Sequence, residues 1–206
     1  MKPVRITEDV FRNLELSNYS LERKYDGFRT LAIFGKKLQL WTRQKRVLKT
    51  PPSLLEELRS MKLPVGTVLD GEIWSLKKRG GWETKNDTDC CVTFWDCIYS
   101  GTNPLVSAPI EERREALRSL LGRGCNRVRV VNAMEASLEN LRAVRDEAKQ
   151  GRTERNSRSG FIHGVVLKRH ESLRHDHPTR SVENASWLKI VFDGMKGWEP
   201  SSQLSR

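Results

Sequence analysis

The amino-acid sequence predicts an α+β fold, with strands paired antiparallel and helices packed on the outer faces of the sheets. Three observations lead there. Two apolar runs, FRTLAIF and LQLWT, flank Gly35-Lys36-Lys37 between Phe28 and Thr42, as the arms of a β-hairpin flank a glycine-bearing turn. Further strand-like runs, Val68–Trp74, Val92–Tyr99, Gly164–Arg169 and Trp187–Phe192, recur along the chain. Among them stand three segments with helical apolar spacing and a proline or serine at the start. With 206 residues and 37% hydrophobic content, the chain can bury one sizeable core or two fused lobes, and it shows no internal repeat or interdomain linker.

Each element has a local cause. Thr7 can cap a short helix whose Val10, Phe11 and Leu14 share one face, and an extended segment follows around Lys24. After the hairpin, Pro52 suits the first turn of a helix carrying Leu54, Leu55 and Leu58, with Pro64 and Gly66 marking its end. Lys77–Asp89 is charged and glycine-bearing, which reads as a surface loop between two strands. Ser107 and Pro109 open a second amphipathic helix that runs through Leu121. A short strand at Val128–Val131 separates it from a third helix, Ser137 through Ala148. Gln150–Ser159 holds no apolar residue and reads as a mobile loop. Trp41, Trp74 and Trp187 fall in apolar strand patterns and are expected in the core.

Charge narrows the partners. Lys plus Arg number 37 against 26 Asp plus Glu, a net charge of +11, which favours a polyanion. No run approaches the roughly 18 apolar residues of a spanning helix. No charged-then-apolar signal segment opens the chain either. We therefore expect an intracellular protein, cytoplasmic or nucleoid-associated, with no membrane partner. Cys90, Cys91, Cys97 and Cys125 form no spaced CxxC pair and read as buried free thiols of a reducing compartment. His170, His175 and His177 with Asp176 share their segment with Arg169, Arg174 and Arg180, so they read as a solvated or phosphate-facing surface, not a metal cluster. Lys77-Lys78-Arg79 with Trp82 has the makings of a single-strand contact, though a plain solvated loop is the simpler reading. Arg152, Arg155 and Arg158 lack an interleaved aromatic and suggest a nonspecific backbone contact at most.

The chemically informative segment is Lys24-Tyr25-Asp26-Gly27-Phe28-Arg29. It can be an ordinary polar strand end. It can equally place an amine nucleophile for attack on the α-phosphorus of a nucleotide, provided burial or neighbouring cations free its lone pair. Strand alternation puts Lys24 and Asp26 on one side. Arg29 suits phosphate or ribose oxygens, and Gly27 permits a close backbone approach.

Over roughly residues 20 to 192 the sequence resembles the covalent nucleotidyltransferase superfamily, specifically the ATP-dependent DNA ligases. Six motifs stand in the family order: Lys24–Arg29, Thr42-Arg43, Leu69–Trp74, Phe94-Trp95-Asp96, Gly164–Lys168 and Ser186–Lys189. Arg180-Ser181 also fits the spacing before the last. Tyr25 together with Arg29 is closer to ATP-dependent ligases than to NAD-dependent ligases or capping enzymes, so ATP is the expected donor. The resemblance implies an ATP-grasp-like nucleotidyltransferase domain in which Lys24 becomes AMP-linked, with Asp26 beside it. Glu22, Arg29, Glu72, Trp95, Lys168 and Lys189 would hold the nucleotide, Trp95 by stacking on adenine and Glu72 by engaging the ribose. Arg43 would face the nucleic acid, and Glu72 with His163 would touch a Mg²⁺ or Mn²⁺ ion. The implied substrate is nicked or broken DNA. The alternatives are an RNA ligase of the same superfamily and a non-catalytic nucleotide- or nucleic-acid-binding relative.

The sequence departs from the family pattern at two positions. His163 stands where a glutamate usually precedes the glycine of the fourth motif, and Val191 where the fifth usually has a second lysine. Imidazole is a poor ligand for hard Mg²⁺, which favours Mn²⁺ or another carboxylate. Lys196 is near enough in sequence to replace the absent lysine. Relatives also continue into an oligonucleotide-binding-fold domain, whereas only about fourteen residues follow Phe192. Residues 1–206 are thus expected to form one adenylation domain without that second domain. It would be a minimal enzyme, part of a longer one, or a component whose missing function comes from a partner protein.

Overall fold

The structure, a computed structural model, describes residues 2–75, 89–153, 161–173 and 183–192. In chain order the elements are β1 (Lys2–Arg5), α1 (Glu8–Arg12), a 3₁₀ turn (Leu16–Asn18), β2 (Tyr19–Tyr25), β3 (Phe28–Phe34), β4 (Leu38–Thr42), α2 (Pro52–Ser60), β5 (Thr67–Ser75) and β6 (Cys90–Ser100). They continue with β7 (Asn103–Pro104), α3 (Ile110–Leu121), β8 (Val128–Val130), β9 (Ala133–Glu135), α4 (Leu138–Thr153), β10 (Ile162–Arg169) and β11 (Glu183–Val191).

Among the described residues the strands form two sheets. One has the order β1-β11-β10-β2-β9; the other runs β4-β3-β5-β6-β7, with β8 added beside β6. Pairing is antiparallel throughout except at β1 with β11 and β6 with β8, which are parallel. These two short strands qualify the expectation of purely antiparallel pairing. β1 opens the chain and meets β11 from its far end, and β8 comes back beside β6 only after α3, so neither is joined to its partner by a hairpin.

Local chemistry explains most element ends. Thr7 Oγ1 accepts from the Val10 N–H at 3.3 Å and caps α1. Phe11 is buried from that helix, but Val10 is 45% exposed, because a helix of five residues offers too little of one face to bury both. Pro52 opens α2, which buries Leu54 and Leu58, and Ser137 Oγ caps α4 by accepting from the Asn140 N–H at 3.0 Å. That helix continues past Ala148 to Thr153, so the first four residues of the expected loop are helical. Residues 154–160 lie outside the described range, as do Lys77, Lys78, Arg79, Trp82, Arg155, Arg158, Arg174, His175, Asp176, His177, Arg180 and Lys196.

Each sheet has its own apolar core. Leu54 and Leu58 of α2 and Leu117 and Leu121 of α3 pack with Leu69, Ile73, Val92 and Phe94 on one sheet. Phe11 with Leu141, Val144 and Ala148 of α4 pack with Leu21, Val165, Leu167, Leu188 and Ile190 on the other. Trp74 and Trp187 are buried as expected, whereas Trp41, in an edge-proximal strand, is only half-buried. Cys90, Cys91 and Cys97 are buried free thiols; Cys125 is exposed, because it sits in the turn before β8 with its thiol against Glu57.

Between the two cores lies a polar seam built by α3. Arg113 is fully buried, donating from Nε to Asp96 Oδ1 of β6 at 2.7 Å and from Nη1 to the Ala108 carbonyl. Arg114 turns the other way, its Nη2 donating to Ser20 Oγ at 2.6 Å and Glu22 Oε1 at 2.5 Å, both on β2. Adjacent arginines on one helix therefore reach both sheets. Asp96→Asn leaves the Arg113 charge buried without its counter-charge, so it should lower the unfolding free energy by roughly 3–5 kcal/mol. The measurement is the urea midpoint at unchanged m-value, and a loss below about 1 kcal/mol would contradict the role given to this pair.

Candidate active site

Side-chain alternation decides what faces the space between the sheets. Leu21, Val165, Leu167, Leu188 and Ile190 point into one core, so their strand neighbours Glu22, Lys24, Val166, Lys168, Trp187 and Lys189 point the opposite way. Strand register stacks them in rows across β2, β10 and β11: Lys24 with Gly164 and Val191, Glu22 with Val166 and Lys189, Ser20 with Lys168 and Trp187. From the other sheet, Arg29 of β3 and Glu72 of β5 are direct cross-strand partners. The result is a cleft of about 320 Å³ lined by Glu22, Lys24, Arg29, Arg43, Glu72, Trp95, Lys168 and Lys189.

All of the expected nucleotide-binding residues and Arg43 thus meet in one place. Asp26 and His163 stand beside it rather than among its lining residues. Asp26 follows the end of β2, where its N–H donates to the Phe161 carbonyl at 2.8 Å. His163 is the residue skipped in the register between β10 and β2, and this bulge brings its Nδ1 to 3.3 Å from Lys24 Nζ. Trp95 is likewise the residue skipped between the Asp70–Asp96 and Gly71–Phe94 pairs of β5 and β6. Two bulges therefore re-aim two candidate site residues toward the cleft, one from each sheet.

The buried charges are arranged in a chain. Lys168 Nζ lies 2.7 Å from Glu22 Oε2 and 4.3 Å from the centroid of the Trp187 ring. Burial alone would raise the Glu22 carboxyl, but Lys168 and Arg114 beside it hold it below its ordinary value. Burial lowers the Lys168 ammonium, with the Glu22 carboxylate opposing that effect. Partial burial also lowers Lys189, and the cations of Lys2 and Lys24 add to the shift. Arg29 is held in a fork by Asp70, Nε to Oδ1 at 2.9 Å and Nη2 to Oδ2 at 2.5 Å, which fixes the plane of its guanidinium.

Gly27 carries a close approach of a kind the sequence only partly suggests. A Cβ there would lie 2.2 Å from the Ile73 carbonyl oxygen, so the glycine lets the segment after Lys24 press against β5. That contact allows the Gly27 N–H to donate to Glu72 Oε1 at 3.0 Å. Two residues before Gly27, Tyr25 stacks on Trp74 with ring centroids 5.0 Å apart and planes 2° from parallel. The strand that carries Lys24 is thereby braced against the strand that carries Glu72.

Sequence reasoning passed over two participants. Lys2 lines the cleft because β1 joins β11 in parallel, and Arg114 reaches Glu22 from α3. Nothing local to either residue distinguishes it from an ordinary surface cation. The donors of a cation site are fewer. Among the described residues, no three His, Cys, Asp or Glu side chains gather to hold a metal ion.

Two sheets enclosing a lysine-bearing cleft of this kind define a nucleotidyltransferase domain. The chain belongs to the ATP dependent DNA ligase domain family, which matches residues 1–190. It is 26% identical over 192 residues to the SPbeta prophage-derived DNA ligase-like protein LigB of Bacillus subtilis (strain 168), covering 86% of this chain and 65% of that protein. The ligase domain of LigD from M. tuberculosis has a similar fold, with a TM-score of 0.59 at 21% identity over 86% of this chain and 54% of that one. A mycobacterial DNA ligase D complexed with ATP and MES is similar too, with a TM-score of 0.58 at 22% identity over 87% and 56% of the two chains. The chain thus spans between half and two-thirds of the length of these relatives.

Burial pushes the Glu72 carboxyl up to about 7, against the pull of Lys24 and the Gly27 N–H. The folded protein therefore holds this proton more tightly than the unfolded chain, and stability falls as pH rises from the ordinary carboxylate range through about 7. Glu72→Gln keeps the shape and an acceptor for Gly27 but cannot ionise. It should match the wild type near about pH 4 and exceed it by roughly 2 kcal/mol at about pH 8, allowing for partial solvent screening. Urea denaturation at both pH values checks this, and an equal offset at the two would contradict it.

Proposed function

We propose that this chain is the adenylation domain of an ATP-dependent polynucleotide ligase acting on DNA. The observation that carries the reading is the convergence of Lys24, Arg29, Glu72, Trp95, Lys168 and Lys189 in one cleft. The Lys24 amine attacks the α-phosphorus of ATP, an N–P bond forms, the bond to pyrophosphate breaks, and the amine loses a proton. AMP then passes to a 5′-phosphate, and a 3′-hydroxyl displaces it as the strand closes.

The residues divide this work by position. Trp95 offers an aromatic face for the base, and Glu72 an acceptor for the ribose hydroxyls. Lys168 and Lys189, one strand apart, supply positive charge for the phosphates, and the Asp70-anchored Arg29 adds a fixed guanidinium. Arg43 is exposed at the rim and suits the nucleic-acid strand. Asp26 adjoins the nucleophile. Glu72 and His163 are too few for a protein-built cation site, but they suffice for single contacts to a Mg²⁺ or Mn²⁺ ion carried in on the triphosphate. Such an ion would neutralise charge on the transferred phosphoryl group.

Support for ATP and DNA comes from family membership and from the ATP-bound mycobacterial relative. A partner protein that completes the sealing cycle is part of the same proposal. An intracellular setting, cytoplasmic or nucleoid-associated, agrees with this substrate and with the +11 charge.

Incubation with α-labelled ATP and Mg²⁺ or Mn²⁺ should give label that survives denaturation, and Lys24→Ala should abolish it. Retained label in that variant, or none in the wild type with either metal, would overturn the assignment. Sealing of nicked RNA but not nicked DNA would move the substrate to the runner-up, an RNA ligase.

A further inference from the structure

Away from the active site, the far end of the β3–β4 hairpin forms a second concavity, of about 520 Å³. Lys36 and Lys37 of the hairpin turn, Arg59 near the end of α2 and Lys62 just beyond it line this groove, and all four are exposed. No Asp or Glu among the described residues lines it. Four cations from two separate segments thus surround one groove without a carboxylate, where opposite charges usually intersperse on a folded surface.

The backbone beneath the groove is held in place. Lys62 adopts a φ of 50°, in the left-handed region that a lysine seldom occupies, and its N–H donates to the Arg59 carbonyl at 3.1 Å. The Gly66 N–H donates to the Phe34 carbonyl at 2.7 Å, which pins the segment after α2 onto the end of the hairpin. Gly66 itself sits at φ 97°, and a Cβ there would lie 2.7 Å from the Gly101 carbonyl oxygen. The cations are therefore displayed on a pinned scaffold.

Distance relates the groove to the cleft. Strand β3 runs from Arg29, which lines the cleft, to Phe34, which lines the groove, a span of about 17 Å at the rise of a β-strand. That is less than the roughly 34 Å of one helical turn of B-form DNA, so even a short duplex is long enough to reach from one to the other. A duplex presented to Lys24 can place backbone phosphates over both. We propose that this groove is a second nucleic-acid contact, taking the phosphate backbone of a duplex whose strand break lies at the cleft. The inference rests on the nucleic-acid reading above and adds a location that neither the motifs nor the cleft supplies.

The groove contributes affinity and register, without sequence preference, because lysine and arginine at phosphates read charge alone. It has no part in the first chemical step, in which Lys24 reacts with ATP before any strand is needed.

The test compares two paired variants, Lys36→Gln/Lys37→Gln and Arg59→Gln/Lys62→Gln, with the wild-type chain. Binding to a nicked duplex of about 30 base pairs is followed by fluorescence anisotropy across a salt series, and adenylylation by retained label from ATP. Each pair should weaken binding by about tenfold at moderate salt and lower the slope of log affinity against log salt by about 1 to 2. Adenylylation should stay at the wild-type level. Unchanged affinity and slope in both pairs would overturn the proposal, as would a parallel loss of adenylylation, which would place the cations in the service of the cleft. Competition by inorganic tripolyphosphate as effective, per phosphate, as the duplex itself would also overturn it, by assigning the groove to small anions. Absence of label in the wild type would sink the ligase reading yet leave the binding comparison intact.

Discussion

The pair of arginines on α3 holds the candidate site together. Arg113 binds Asp96 beside Trp95 on one sheet, and Arg114 binds Glu22 two residues from Lys24 on the other. Each cation is buried, and each is stable there only because a carboxylate meets it. The helix thereby sets how the two sheets stand across the cleft. The same device serves electrostatics: Glu22, neutralised by Arg114 and Lys168, holds the Lys168 ammonium in place beneath Trp187. A cleft rich in cations needs such internal counter-charges, or mutual repulsion would push its walls apart.

Within that frame, small irregularities set the chemistry. The row across β2, β10 and β11 at Lys24 continues through Gly164, which has no side chain, to Val191. A bulge fills the vacancy beside Lys24 with the His163 imidazole. The chain therefore has an imidazole beside Lys24 and an aliphatic group at the end of the row. Positive charge in that region comes from Lys189 and from Lys2, which the parallel strand β1 delivers to the cleft.

Much of this was legible in the sequence, for identifiable reasons. The hairpin, the helices opened by Pro52 and Ser137, and the strands around residues 70, 95, 165 and 189 all follow from apolar periodicity and local caps. The cleft residues were legible through the order of the motifs, and in the regularly paired stretches Glu22 and Lys24, Val166 and Lys168, and Trp187 and Lys189 also share a face by spacing. Other features depend on contacts far apart in the chain. The parallel pairing of β1 and β8, the reach of Arg114 to Glu22 and the bulges at Trp95 and His163 have no local signature. Gly27 illustrates the boundary. Its need for space could be read from the motif, but the neighbour that needs the space is the Ile73 backbone, on a strand some forty-five residues away.

In the proposed reaction one atom, Lys24 Nζ, is the nucleophile, and it lines the assembled cleft. The most direct measurement is tandem mass spectrometry of the protein after incubation with unlabelled ATP and a divalent metal, followed by proteolysis without reduction of pH. The arrangement predicts a single acid-labile AMP adduct on the peptide containing Lys24. An adduct carried instead by Lys168, Lys189 or Lys2, with Lys24 unmodified, would contradict it.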